Sequence, residues 1–344
     1  MSETIMKNIL IIGGTRNMGF HLTLKLIETG HHVTVLNRGM SEDNLPDTVH
    51  RLRADRTNPQ QLKRALLGKS FDTVIDFVMF REHEADVIID LLDGAIEHYI
   101  MISTGQVYLV REGISRPFTE DEFEGRIQPP PKANTFAYEE WSYGVNKRQA
   151  EDRFFAAHQR SGFPMTILRL PMVNSERDTF RRLYSYIIRL KDGGPLLIPE
   201  TPSYPLRHIY GQDVVRAILN LIDTHQGIGH AFNISQEETV TIDEFIGILG
   251  EHMGVTPQLV RAKRSLLEAN GFLPDCSPFS ERWMSELDNT LSKQELNMTY
   301  TPLYDYLGTL VQHYTSTKIP PPVGYKRRHA ERQLAESILS GAVE

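Results

Sequence analysis

The sequence predicts an α/β fold: a doubly wound parallel sheet with a smaller, mostly helical C-terminal lobe. Three observations carry that expectation. Ile9-Leu10-Ile11-Ile12 run without alternation, as a strand buried on both faces must, and stop at Gly13-Gly14. Short β-branched runs then alternate with helix-length stretches as far as Leu170, the rhythm of parallel strands joined by helical crossovers. Beyond Pro171 that alternation breaks, and the later stretches read mainly as helices.

Taken in order, the first strand leads through Gly13, Gly14, Thr15, Arg16, Asn17, Met18 and Gly19 into an apolar helical stretch that Gly30 ends. Strand, glycine turn and helix begin a dinucleotide-binding βαβ unit, in which a pyrophosphate sits on the free N–H groups and positive end of the helix. The spacing has room for a middle glycine, and Arg16 stands there. A second strand, His32 to Leu36, closes at Asn37-Arg38-Gly39, with Ser41 close by. An acid at this place accepts from the 2′-hydroxyl of NAD, whereas a base favours the 2′-phosphate of NADP. Met40 to Asp47 reads as a polar loop and Val49 to Arg53 as a third strand, after which Asp55 is placed to meet an adenine amino group. Further elements are a helix over Gln60 to Leu67, a strand over Phe71 to Val78, a helix over Ala85 to Leu92 and a fifth strand over His98 to Ser103.

A long insertion follows Tyr108, acidic from Glu120 to Glu124 and proline-rich at Pro129-Pro130-Pro131. It reads as a loop at the strand C-termini, placed to cover a site there, because the sheet resumes after it. Tyr143 to His158 reads as a helix and Met165 to Leu170 as a sixth strand. Arg177 to Leu190 reads as helical, Leu196 to Tyr204 as irregular, Asp213 to Asp223 as an amphipathic helix, and His230 to Ser235 as a strand returning to the sheet. Helices over Ile242 to Met253 and Leu303 to Tyr314 belong to the smaller lobe. The expected division is a dinucleotide-binding domain over 1–172, rejoined at about 206–236, and a mainly substrate-binding lobe with a C-terminal helix over 173–344. The locally basic Lys326-Arg327-Arg328 reads as part of a terminal helix packed on the surface.

Composition bounds the function classes. A length of 344 residues suits two closely packed lobes, and the net charge of −7 gives no general attraction to nucleic acid or an acidic membrane. Cys276 is the only cysteine, which excludes an internal disulfide and fits a reducing compartment. The N-terminal apolar run is too short for a signal sequence, and no stretch approaches the ~20 apolar residues of a membrane span. The expectation is a cytoplasmic protein with a small-molecule substrate and neither nucleic acid nor membrane as partner; a homodimer is left open. No metal is expected, because His83 stands between two glutamates with no helix-spaced partner.

Tyr143 and Lys147 lie four apart on one helix and so share a face. An ammonium beside a phenol stabilises the phenolate and makes a usable acid–base. Tyr138 competes, but the residue four on from it is Ser142. Thr104, closing the fifth strand, can hold the same substrate oxygen, with Ser103 as its alternate. Arg181, Arg182 and Arg207 are candidates for a substrate diphosphate, since guanidinium forks suit phosphate.

These pieces together resemble the extended or atypical short-chain dehydrogenase/reductases, the superfamily of NAD(P)-dependent nucleotide-sugar epimerases, dehydratases and reductases with a Rossmann-type fold. The matching stretches are GGTRNMG (13–19), ADR (54–56), STGQVY (103–108), YGVNK (143–147), LRLP (168–171), DVVRA (213–217), FNIS (232–235) and ELDNTLSKQELN (286–297). The resemblance implies that Gly13, Gly14 and Gly19 shape the pyrophosphate turn, Asp55 and Arg56 border the adenine, and Lys147 also binds the nicotinamide ribose. It implies Tyr143 as acid–base and Thr104 as the substrate-positioning hydroxyl.

The departures select among activities. Gly105-Gln106 stand where the family's dehydratases place an Asp-Glu pair, which counts against elimination of water. Asn174-Ser175-Glu176 replace a frequent Tyr-Gly-Pro. Arg16, Arg38 and the missing acid after the second strand point to a 2′-phosphate. The expectation is therefore an NADPH-linked reductase, with NAD(H) and a hydride-returning epimerase as the alternative. A reading of another class is a cofactor-binding regulator or RNA-associated protein without catalysis.

Overall fold

The β-rich first half pairs its strands as the unbroken aliphatic runs require, with every strand of the main sheet parallel to its neighbours and the inner strands buried. The computed structural model describes residues 6–40 and 43–342. The strands are β1 (Asn8–Ile12), β2 (His32–Asn37), β3 (His50–Arg53), β4 (Thr73–Asp76), β5 (His98–Thr104), β6 (Met165–Leu170), β7 (Val173–Asn174), β8 (Leu196–Pro199), β9 (Ile209–Tyr210), β10 (Ala231–Asn233) and β11 (Leu259–Ala262). The helices are α1 (Asn17–Glu28), α2 (Pro59–Leu66), α3 (Glu82–Leu92), α4 (Gln106–Leu109), α5 (Phe136–Ser161), α6 (Arg182–Lys191), α7 (Gly211–Thr224), α8 (Ile242–Met253), α9 (Arg264–Ala269), α10 (Thr290–Glu295), α11 (Leu303–Ser316) and α12 (Arg328–Leu339).

Seven strands form the sheet in the order β10-β6-β5-β4-β1-β2-β3. The order reverses between β1 and β4, and the crevice beyond the strand ends at such a point is where this class of sheet takes ligands. This is the expected doubly wound, Rossmann-type fold. Its core is made by the fully buried Leu10, Val74, Tyr99, Phe154 and Phe163, with the Tyr99 ring stacked 4.8 Å from that of Phe154.

The described residues divide into two compact units, one within Met1–Pro171, Gly211–Ser235 and Leu287–Thr299, the other within Met172–Tyr210, Gln236–Glu286 and Tyr300–Glu344. Residues 287–299 thus join the first unit, where the sequence placed them in the second lobe; a strand-like bridge from Phe118 to Leu287 carries them there. The second unit packs α6, α8 and α11 around Tyr186, Phe245, Phe279 and Leu307.

Two local expectations change. Helix α5 begins at Phe136 rather than Tyr143, because Thr135 caps it by accepting from the Tyr138 N–H at 3.2 Å. Its first turns carry Glu139 and Glu140, so no apolar period announces them. Leu196–Pro199, expected to be irregular, is the strand β8, stabilised by pairing with the distant Leu259–Ala262. The insertion after Tyr108, read as a loop, is tied to the sheet and to α5. Phe118 and Phe123 are buried, Arg148 donates to the carbonyls of Val107 and Phe123, and Asn233 Nδ2 donates to the Phe118 carbonyl at 2.9 Å.

In the second unit the two arginines of the basic C-terminal run are held in ion pairs. Arg327 meets Asp275 at 2.6 Å, and Arg328 meets Asp192 at 2.7 Å and Glu331 at 3.4 Å.

Candidate active site and cofactor cleft

The turn after β1 works because three residues there lack a side chain. Gly13 has a φ of +85°, a conformation that L side chains rarely adopt. A Cβ on Gly19 would lie 2.8 Å from Gly14 Cα, so α1 approaches the turn backbone to backbone. Thr23 Oγ1 fastens the approach, donating to the Gly19 and Gly14 carbonyls at 2.7 and 3.1 Å. Arg16 is the N-cap of α1 with extended backbone and no side-chain cap, and no acid lies in the first turn. The helix therefore presents its positive end without a carboxylate to neutralise it. Asn17 has a φ of +47°, and Met18 is buried with Gly19. A cradle that a Cβ would fill, under an uncapped helix terminus, fits a dinucleotide pyrophosphate.

Beside it opens a cavity of about 360 Å³, whose wall includes Gly13, Thr15, Arg16, Arg38, Asp55 and Phe80. Asn37 also lines it, and its Oδ1 accepts from the Gly39 N–H at 2.8 Å and from Arg53 Nη1 at 2.6 Å. Arg53 was not legible as a site residue; only the strand register, which sets it beside Asn37, brings it there. Asp55 Oδ1 accepts from the Thr57 hydroxyl and N–H at 2.7 and 3.0 Å, and these bonds hold its carboxyl below the usual carboxylate range. Arg56 lines the same cavity, but its guanidinium is committed to Asp76 at 2.8 Å, Glu84 at 3.3 Å and the Val78 carbonyl at 2.5 Å. Its single charge is shared between two buried carboxylates. Ser41 lies outside the described residues.

On the other side of the switch point, Thr104 ends β5, and its Oγ1 accepts from the Gln106 N–H at 3.2 Å, which leaves the hydroxyl proton to be donated elsewhere. Tyr143 stands on α5 with its ring centroid 6.2 Å from that of Phe80, and Lys147 Nζ lies 5.2 Å from the same ring. Lys147 is buried and donates to the Ile102 carbonyl at 2.7 Å. Burial pulls its ammonium down to about 8, against the attraction of Asp76 and Glu151. Phe80, another residue the sequence did not single out, thus borders both the cavity and the tyrosine–lysine pair. The competitor Tyr138 instead packs on Trp141, ring centroids 5.9 Å apart.

Ser103 is not an alternate for Thr104. Successive strand residues face opposite ways, and Ser103 points its hydroxyl to the carboxylate of Glu151, which also takes Arg169 Nε and Nη2 at 3.0 and 2.7 Å. That ion pair is buried at both ends. In the second unit, Arg181 donates to the Pro320 carbonyl at 2.9 Å, Arg182 pairs with Asp178 at 3.2 Å, and Arg207 Nε donates to the Gln236 carbonyl at 2.9 Å. Among the described residues no three His, Cys, Asp or Glu side chains converge as metal ligands, and no helix is long and apolar enough to cross a membrane.

A doubly wound sheet with a glycine turn opening on its switch point defines a dinucleotide-binding α/β protein. A sequence profile of the NAD dependent epimerase/dehydratase family matches residues 9–235, and the chain belongs to that family. It is 28% identical over 256 residues to the chloroplast stem-loop binding protein of 41 kDa b of Arabidopsis thaliana, a match spanning 71% of this chain and 62% of that protein. It is also 28% identical over 149 residues to the 2′-dehydrokanamycin reductase of Streptomyces kanamyceticus, spanning 43% of this chain and 38% of that one. Less than two thirds of each relative's length is therefore matched. The UDP-glucose 4-epimerase of Thermotoga maritima, solved with UDP-glucose, superposes with a TM-score of 0.71 at 20% identity, covering 90% of this chain and 99% of that one.

Proposed function

We propose that the chain is an NADP(H)-linked reductase on the epimerase/dehydratase scaffold, acting at a carbonyl or hydroxyl carbon of a nucleotide sugar or related metabolite. One observation carries the cofactor choice: no acid closes β2, Asn37 is engaged by Arg53 and Gly39, and Arg16 and Arg38 stand at the cavity wall. A second phosphate with its negative charge suits that wall, and a bare ribose hydroxyl does not need it. The glycine cradle and the first turn of α1 hold the pyrophosphate. Lys147 holds the nicotinamide ribose and, by its charge, favours the Tyr143 phenolate. A bound nicotinamide supplies hydride to, or accepts it from, a substrate carbon. Tyr143 then moves the proton on the attached oxygen, while Thr104 donates its hydroxyl proton to the same oxygen and holds it in place.

The partial likeness to a reductase supports reduction, and Gly105-Gln106 in place of an Asp-Glu pair oppose dehydration. A sugar-nucleotide epimerase that keeps its NAD is the alternative on the same scaffold. Tyr143→Phe tests the assignment: turnover is expected to fall at least about a hundredfold, the low end for a lost acid–base, with NADPH binding intact. Retained turnover removes Tyr143 from the mechanism.

A second reading, RNA association, rests on the name of the Arabidopsis relative. It predicts binding of a stem-loop RNA that weakens steeply with salt. Against it stand the net charge of −7 and the retained Thr104, Tyr143 and Lys147. RNA binding together with no redox activity would make it the better reading.

A further inference from the structure

Helix α5 crosses the end of β5 so closely that a Cβ on Gly144 would lie 2.8 Å from the Gln106 carbonyl oxygen. The early start of the helix has a chemical result at this crossing. Glu140 is delivered to Gln106, whose Nε2 donates both to the Glu140 carbonyl, at 3.3 Å, and to its carboxylate. Gln106 is buried and Glu140 half-buried, and the Gln106 N–H meanwhile holds Thr104 Oγ1 at 3.2 Å. Glu140 is three residues before Tyr143 and seven before Lys147, so one helical face carries all three. Gln106 therefore ties a carboxylate from the helix to the strand end that carries the proposed hydroxyl, where the strand end itself offers only Gly105-Gln106.

We propose that Glu140, held by Gln106 beside Thr104, accepts a hydrogen bond from a hydroxyl or ammonium substituent on the substrate carbon next to the one that reacts. This rests on the reductase reading of the site. An ionised carboxylate only accepts, so it selects donors, and its bonds to hydroxyl or ammonium are charge-assisted and strong. It opposes a carbonyl or carboxylate at the same position, which would place acceptor against acceptor. The substrate class this defines is a vicinal hydroxy or amino carbonyl compound and its alcohol. Gln106 acts through Glu140 as a positioning residue. Because its amide can donate to the carboxylate, it keeps that group oriented without neutralising it.

The test uses the full chain loaded with NADPH and three alcohols that the reduced cofactor cannot oxidise: cyclohexanol, trans-1,2-cyclohexanediol and trans-2-aminocyclohexanol. Affinities are read by saturation-transfer NMR. The diol and the amino alcohol are expected to bind about tenfold tighter than cyclohexanol, the worth of one charge-assisted hydrogen bond. Glu140→Ala brings all three together. Glu140→Gln, which keeps an acceptor oxygen but no charge, retains the preference for the diol and loses that for the amine. NADPH affinity, measured on each variant, reports that the protein is folded. Equal binding of the three alcohols, no binding of the diol and the amine, or a preference that survives Glu140→Ala overturns the inference and leaves the Tyr143 assignment standing. Failure of NADPH to bind overturns the reductase reading and this inference with it.

Discussion

On the β1-β2-β3 side of the switch point the strand ends open into a cavity of about 360 Å³ walled by exposed arginines, whereas on the β4-β5-β6 side they close over buried ion pairs. The open side is shaped by backbone, through Gly13 and Gly19, and Arg16, Arg38 and Asp55 stand at its wall. The closed side is shaped by charge. Asp76 and Glu84 there share Arg56, which reaches across from the cavity wall, Arg169 joins Glu151, and burial lowers the ammonium of Lys147. On the proposed function, selection of the cofactor and the chemistry rest on different supports. A change on the open side is expected to alter which cofactor binds, and one on the closed side to alter folding or turnover.

The largest effect is expected at Glu151. Glu151→Ala leaves Arg169 buried without its carboxylate and releases the Ser103 hydroxyl, and removal of one partner of a buried pair costs about 3–5 kcal/mol. Urea unfolding measures it. A loss under about 1 kcal/mol, the range of surface pairs, would place this network among them and weaken the contrast between the two sides.

A smaller effect is set by pH. Lys147 has a folded value of about 8 against its ordinary 10.5, so its charge is present below about pH 8 and is lost as pH rises through it. On the proposed mechanism, the cation assigned to support Tyr143 is lost at the same point. The expected kcat/KM profile has an alkaline limb near pH 8, and Lys147→Arg, which keeps its charge, moves that limb upward. A limb unmoved by this substitution assigns the titration to another group.

The open side was the more legible half in the sequence. A turn that tolerates no side chain leaves glycines at fixed places, and on the closed side only the spacing of four between Tyr143 and Lys147 showed in the sequence. What the sequence concealed depends on contacts between distant segments. Arg53 reaches Asn37 through the register of β2 with β3, and Phe80 borders the cleft from the loop after β4. Glu140 was hidden because a cap at Thr135, rather than an apolar period, starts α5. Ser103 and Thr104 are chemically alike, and β5 is buried on both faces, so no polarity pattern told which hydroxyl Glu151 takes. The basic run near residue 327 had its partners Asp275 and Asp192 far earlier in the chain.

The central claim is that the open side selects a 2′-phosphate, and a titration of NADPH and NADH against the wild type and the Arg16→Ala/Arg38→Ala double variant tests it most directly. The wild type is expected to bind NADPH at least about tenfold tighter than NADH, as one or more guanidinium–phosphate bonds provide. The double variant is expected to lose that margin through weaker NADPH binding, with NADH nearly unchanged. An equal loss for both cofactors, or a wild type that prefers NADH, would contradict the account.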